Sequence, residues 1–187
     1  MEKTGSYSPT QHGFRPGRST EDPLVSLDHQ IRSTLVNKQV TVAVFFDLKN
    51  AFDTINHEHV LYKLSKAGVK GNMLNWIKEF LHNRSYQVLV GNSKSEPKNI
   101  ERGVPQGSCL SPTFFNIIMS DIPHNIRTII KEYADDIAIL STADTLELAF
   151  DNAQSAITEL EAWANRWCLQ FNANKTGNSS STSTRHT

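Results

Sequence analysis

Cysteine is nearly absent from this chain. Of its 187 residues only Cys109 and Cys168 are thiols, far apart and without a Cys-x-x-Cys pair. That pattern supports neither a disulfide scaffold nor a zinc site and fits a reducing compartment. Long hydrophobic runs are missing as well. None approaches the roughly 18 residues that a membrane-spanning helix needs, and the N-terminus, with Gly5, Ser6 and Pro9, has no apolar signal-peptide core. Nor does one sign of charge prevail: Lys+Arg and Asp+Glu both number 19. Overall charge therefore gives no pull toward a polyanion, and such a partner would have to be met by a local patch. No internal repeat is present. What remains is ordinary globular material, 38% hydrophobic and 20% charged, long enough to bury roughly 70% of its unfolded surface as one domain. The expectation is a soluble, intracellular protein, nuclear or cytoplasmic and not secreted, with no membrane partner.

Residues 1–22 are rich in Gly, Pro, Ser and Thr and read as a loop that keeps Arg15 and Arg18 exposed. From Asp22, Leu24, Leu27, Ile31 and Leu35 recur at helical spacing, with Pro23 suited to a first turn. Residues 40–48 form an unbroken apolar, β-branched run that predicts a strand buried on both faces. Helices are predicted over 56–67, stopped by Gly68, and over 72–81. Residues 86–90 and 98–102 read as a hairpin around Gly91-Asn92-Ser93, and a loop at 103–112 feeds an apolar helix at 113–122. The spacing of Leu146, Phe150, Ala153, Ile157, Leu160, Ala164 and Trp167 predicts one long amphipathic helix. A short strand is expected at 169–171, and residues 177–187, Ser/Thr-rich and without an apolar residue, read as a disordered tail. Strands and helices interleave without strict alternation. The predicted class is α+β, a mainly antiparallel sheet with helices on one face.

The chemistry centres on Tyr133-Ala134-Asp135-Asp136, between the strand-like runs Ile129-Ile130 and Ile137-Ala138-Ile139-Leu140. Neighbouring strand residues point to opposite faces, so two adjacent aspartates can share a partner only at a tight turn, whose left-handed conformations Asp tolerates. Taken alone, the pair is good turn chemistry. Asp47 changes that, because a carboxylate closing a buried strand is costly unless exposed, paired or bound to metal. If that strand lies beside the hairpin, three carboxylates converge without basic partners and repel. Two Mg²⁺ ions would resolve the repulsion and suit phosphoryl or nucleotidyl transfer.

Phe45-Phe46-Asp47-Leu48-Lys49-Asn50-Ala51-Phe52-Asp53 resembles motif A of reverse transcriptases. Gly103-Val104-Pro105-Gln106-Gly107-Ser108 with Leu110-Ser111-Pro112 resembles motif B, Tyr133-Ala134-Asp135-Asp136 motif C, and Phe171-Asn172 with Lys175-Thr176 motif D. The run from Gln11 through Gly13-Phe14-Arg15-Pro16-Gly17-Arg18 to Thr20 resembles the block that precedes motif A. Order and spacing agree across residues 11–176. Ala134 in motif C and Asp53-Thr54-Ile55-Asn56-His57 after motif A are similar to the non-LTR, LINE-like retrotransposons; group II intron enzymes share several of these blocks and are the family most readily confused with them.

The resemblance implies a polymerase palm at 40–176, a partial fingers segment at 1–39 and no thumb. It implies an RNA-directed DNA polymerase that adds dNTPs to a DNA primer on an RNA template, its oligomeric state left open. Asp47 and Asp135 would hold two Mg²⁺ ions (Mn²⁺ as a substitute), with Asp136 assisting and the Leu48 carbonyl as a further ligand. Phe52 would be the steric gate against a 2′-hydroxyl, and Gln106 and Gly107 would line the pocket for the incoming nucleotide and template base. Lys175 would protonate the departing pyrophosphate. Arg15 and Arg18 would meet template phosphates. Each residue has a plainer reading: Phe52 as core, Gln106 as turn chemistry, Lys175 and the two arginines as solvated surface. His57-Glu58-His59 is no zinc signature and reads as surface, Trp76, Trp163 and Trp167 as packing, and Tyr133 as primer contact or packing. The alternative function is a truncated, non-catalytic remnant that at most binds nucleic acid. A palm-type cyclase or nuclease is disfavoured by the Pro-Gln-Gly loop and Phe52.

Overall fold

The structure, a computed structural model, describes residues 6–172 together with a strand at 177–181. Its centre is an antiparallel sheet built on β1 (Val40–Asp47), a run of Val, Thr, Ala and Phe that suits a pleated surface. One face of β1 is buried, while Phe45 on the other is exposed, so the strand is not covered on both faces as expected. β1 pairs along its full length with β7 (Asp136–Ala143), from Val40 opposite Ala143 to Asp47 opposite Asp136. β6 (Thr128–Tyr133) closes a hairpin with β7. The far edge is β8 (Gly177–Ser181), antiparallel to β1, giving the order β6-β7-β1-β8. The expected disordered tail thus enters the sheet over its first five residues. A ladder is built from backbone groups, so a run without apolar side chains can still extend an edge. Residues 182–187 lie outside the described residues.

One face of the sheet carries Val42, Val44, Phe46, Ile130, Ile137 and Ile139, all buried. Against it lies α6 (Leu146–Arg166), whose Ala149, Ala153, Ala156, Leu160, Trp163 and Ala164 make one buried stripe at helical spacing. The small alanines let the helix approach closely, while Leu160 and Trp163 fill the remaining volume; burying such a side chain is worth about 1.5–3 kcal/mol. The core continues through α3 (His57–Lys66), α4 (Gly71–Leu81) and α5 (Ser111–Ile118), which supply Val60, Leu64, Ile77, Leu81, Phe114, Phe115, Ile117 and Ile118. α1 (Glu21–Val36) crosses the second face, where Thr34 and Thr142 share hydrogen bonds with Thr41 (2.8 and 2.7 Å).

The expected hairpin after α4 is split in two. β2 (Arg84–Tyr86) pairs with β5 (Lys98–Ile100), and inside them β3 (Leu89–Val90) pairs with β4 (Ser93–Lys94). Most of these residues are exposed, so no buried face holds one long register together. The predicted strand at 169–171 reduces to Phe171 bridging Leu48. A short α2 (Ala51–Thr54), too brief to show periodicity, had no signal in the sequence.

Candidate active site

Sheet register brings the aspartates to one end of the molecule. Asp47 ends β1 directly opposite Asp136, and Asp136 is also opposite Tyr133. Ala134 and Asp135 are left as a two-residue turn, with Ala134 at φ 53°, the left-handed region such turns require. The Leu48 amide donates to the Asp135 carbonyl (3.4 Å), tying the turn to the chain just past Asp47.

Asp47 and Asp135 line one cavity of about 310 Å³, shared with Leu48, Phe52, Gln106 and Asn172. Asp136 lines a different, apolar groove of about 360 Å³ beside Tyr133, Phe45 and Leu24. Asp136 nonetheless stands directly across from Asp47 in the ladder, so all three aspartates sit at one end of the sheet. The turn frees Asp135 from the pleat, while Asp136 is in the ladder, where directly opposed residues such as Asp47 and Asp136 share a face. Among the described residues no three His, Cys, Asp or Glu side chains form a ligand set. Two carboxylates still suit a divalent ion that keeps waters and takes substrate oxygens in place of an all-protein cage.

After β1 the chain turns sharply at Asn50, held at φ 49°, into α2. That turn puts Phe52 into the cavity wall, its ring stacked on Phe115 of α5 (centroids 5.1 Å, planes 23° apart) and edge-on to Phe14 (6.0 Å, 90°). Core packing and pocket wall are thus one position. Gly103 and Val104 donate to Ile55 and Phe52 carbonyls (2.7 and 2.8 Å). At Gly103 a Cβ would meet the Asp53 carbonyl at 2.7 Å, and φ is 82°, so only glycine fits. Pro105 to Ser108 is a turn closed by the Ser108 amide on the Pro105 carbonyl (3.1 Å), with Gly107 at φ 86° in the position that demands it. Gln106 projects from this turn and donates to Asp53 Oδ1 (2.8 Å) across the cavity.

Arg15 and Arg18 are half-buried rather than exposed. Arg15 donates to the Ser8 carbonyl (2.6 Å) and lies 5.5 Å from the Tyr7 ring centroid. Arg18 donates to the Pro9 and Gln11 carbonyls (2.6 and 2.9 Å). Guanidinium has five N–H donors, and the loop uses part of that set to hold its own shape. Lys175 lies outside the described residues. His57 is buried, not on the surface: its Nε2 meets the Gly103 carbonyl (2.7 Å), which also accepts from Arg84 (2.6 Å). Burial lowers its pKa below the usual value, with the Arg84 charge in the same direction. Trp163 and Trp167 pack in the core as expected, but Trp76 is 53% exposed, stacked on Phe80.

Two site residues escaped the sequence reading. Asn172 Nδ2 donates to Asp47 Oδ2 (3.0 Å) while its amide donates to the Asp47 carbonyl (2.8 Å). The Phe171-Asn172 pair was visible as a motif, yet nothing local indicates that it returns beside β1. Phe14, 55% exposed at φ 56°, buttresses Phe52; a strained non-glycine residue is a signal that only a structure displays.

The chain matches the family model described as reverse transcriptase (RNA-dependent DNA polymerase) over residues 1–186. It is 34% identical over 176 residues to the probable RNA-directed DNA polymerase from transposon BS of Drosophila melanogaster, covering 90% of this chain and 19% of that protein. The same identity and coverage hold for the RNA-directed DNA polymerase from mobile element jockey of that fly. The chain thus spans about a fifth of the length of these curated relatives. Among solved structures, telomerase from Candida tropicalis in complex with a telomeric RNA fragment superposes with a TM-score of 0.68 at 14% identity, over 93% of this chain and 30% of that one. Candida albicans telomerase gives 0.67 at 14%, over 98% and 32%. These likenesses establish the fold.

Proposed function

From the premise that the chain belongs to the reverse transcriptase family, we propose that the Asp47–Asp135 cavity is the site of RNA-directed DNA synthesis. The observation that carries this reading is the placement of two carboxylates, an aromatic wall and a polar loop side chain around one pocket. Asp47 and Asp135, with the Leu48 carbonyl, would hold two Mg²⁺ ions, Mn²⁺ serving as a substitute. Such ions lower the pKa of an attacking hydroxyl and offset charge on a leaving phosphate oxygen.

The chain's own residues supply position. Asn172 fixes the Asp47 carboxylate through Oδ2, and Phe52, held by Phe115 and Phe14, would stand against a 2′-hydroxyl. Gln106, from the cavity wall, and Gly107 beside it in the turn would meet the incoming base pair. Asp136, directly opposite Asp47 in the ladder, would assist the pair. Arg15 and Arg18 would place positive charge beside template phosphate, which gives affinity without sequence preference. Lys175 donates the proton that the departing pyrophosphate takes up. The hybrid is read by its shape and backbone. Residues 1–39 act as a fingers segment and 40–176 as the palm, and the reaction runs inside the cell, where exposed free thiols such as Cys109 and Cys168 persist.

The test is addition of a complementary dNTP to a DNA primer annealed on RNA. Incorporation that needs the matching template base, stops on chelation and returns with Mg²⁺ supports the proposal. Retention of the hybrid without incorporation, in the longer protein too, would leave the non-catalytic alternative standing.

A further inference from the structure

Gln11 is completely buried in the loop that runs beside β6. Its Oε1 accepts from the amides of Gly13 (2.7 Å) and Ala134 (2.9 Å), and its Nε2 donates to the Ala134 carbonyl (3.0 Å). One side chain thereby pairs with both backbone polar groups of Ala134, as a neighbouring strand would. Ala134 is the residue that needs such help. It opens the two-residue turn at φ 53°, a conformation alanine rarely adopts, and the next residue is Asp135.

The surrounding contacts serve the same end. Gly13 sits against the turn so closely that a Cβ there would lie 2.3 Å from the Ala134 nitrogen. The Gly13 carbonyl accepts from Asn116 of α5 (3.1 Å), the helix that also backs Phe52. The His12 amide donates to the Glu132 carbonyl (2.9 Å) and the Glu132 amide to the Thr10 carbonyl (3.2 Å), so the loop runs as an added partner of β6 up to the turn. Gln11 completes that pairing where the backbone of β6 ends.

We infer that Gln11 is a positioning residue for Asp135: it fixes the two peptide planes flanking Ala134 and so the direction of the Asp135 carboxylate toward Asp47. This rests on the reading of Asp135 as a metal-holding group. A residue that merely filled space would be replaceable by an apolar isostere at a cost in stability alone; a positioning residue would not. Gln11→Met keeps length and bulk but removes all three hydrogen bonds. Ala134→Gly supplies a residue that takes positive φ unaided, so it should lessen the dependence on Gln11.

The experiment compares the unmutated protein, Gln11→Met and the double variant Gln11→Met with Ala134→Gly, all below their unfolding midpoints. Three quantities are read: Mn²⁺ affinity by electron paramagnetic resonance titration, amide exchange at Ala134 and Asp135, and kcat against KM for dNTP. The expected result for Gln11→Met is roughly tenfold weaker Mn²⁺ binding, the scale of losing a group that orients a ligand. Exchange at Ala134 should be faster, and the loss should fall on kcat more than KM, with part of it restored in the double variant. Unchanged affinity and exchange in Gln11→Met, or a double variant no better than the single, would overturn the inference. If the unmutated protein itself fails to bind Mn²⁺, the metal-site reading fails, and the exchange data alone decide whether Gln11 holds the turn.

Discussion

Glu132 is a buried carboxylate just before the β6–β7 turn that the proposed chemistry does not use. It is fully buried, with the Ser8 hydroxyl donating to Oε1 (2.5 Å) and Thr10 a second donor to the same oxygen. Burial pushes its pKa above the ordinary 4.5, against those two hydrogen bonds and the charges of Arg15 and Arg18. The folded protein therefore keeps a proton that the unfolded chain has lost. This contribution favours the fold at acid pH and fades as pH rises from 4.5 through the raised folded value. Glu132→Gln lacks the titration, so its stability relative to the unmutated protein should climb across that window in urea unfolding; parallel pH profiles would refute the assignment. Phe52→Val should raise ribonucleotide use relative to dNTP by about tenfold or more, read from paired kcat/KM values, since removing a wall relaxes discrimination by volume. Asn172→Leu should cost about 10- to 100-fold in incorporation or Mn²⁺ affinity, the usual range for a group that orients a ligand. Of these three positions, Phe52 was legible through its offset from Asp47. The other two draw their roles from partners 124 to 125 residues away, which no local pattern encodes.

Elements with a strong period were legible and short ones were not. β1 declared itself by an unbroken β-branched run and α6 by a stripe of small and large apolar residues. α2 is four residues long, shorter than the window in which periodicity can be seen. β8 is drawn into the sheet by the free edge of β1 rather than by its own side-chain pattern. α3 shows where a local signal does suffice: Asn56 precedes it, and its side chain accepts from the Glu58 and His59 amides (2.9 and 3.4 Å). Asn56→Ala should cost about 1 kcal/mol. Leu160→Ala, which empties the centre of the α6 contact, should cost about 2–5 kcal/mol. Both are read from denaturant midpoints at unchanged slope, and an Asn56 effect larger than that of Leu160 would contradict this division between cap and core.

At the scale of the whole molecule, the candidate site gathers the end of β1, the start of α2, the 103–107 loop, the β6–β7 turn and Asn172, segments spread over most of the chain. Motif order in the sequence pointed to that gathering, but the partition of the aspartates did not follow from it. Asp135 shares a cavity with Asp47, while Asp136, opposite Asp47 in the register, lines the neighbouring groove. The most direct test is single-turnover addition of one dNTP to a DNA primer on an RNA template with Mg²⁺, comparing Asp47→Asn, Asp135→Asn and Asp136→Asn. The account predicts losses of about a thousandfold or more for Asp47 and Asp135, given two ions held by that pair, and a distinctly smaller loss for Asp136. Asp135→Asn extending primers near the unmutated rate, or Asp136→Asn proving the more damaging, would contradict it.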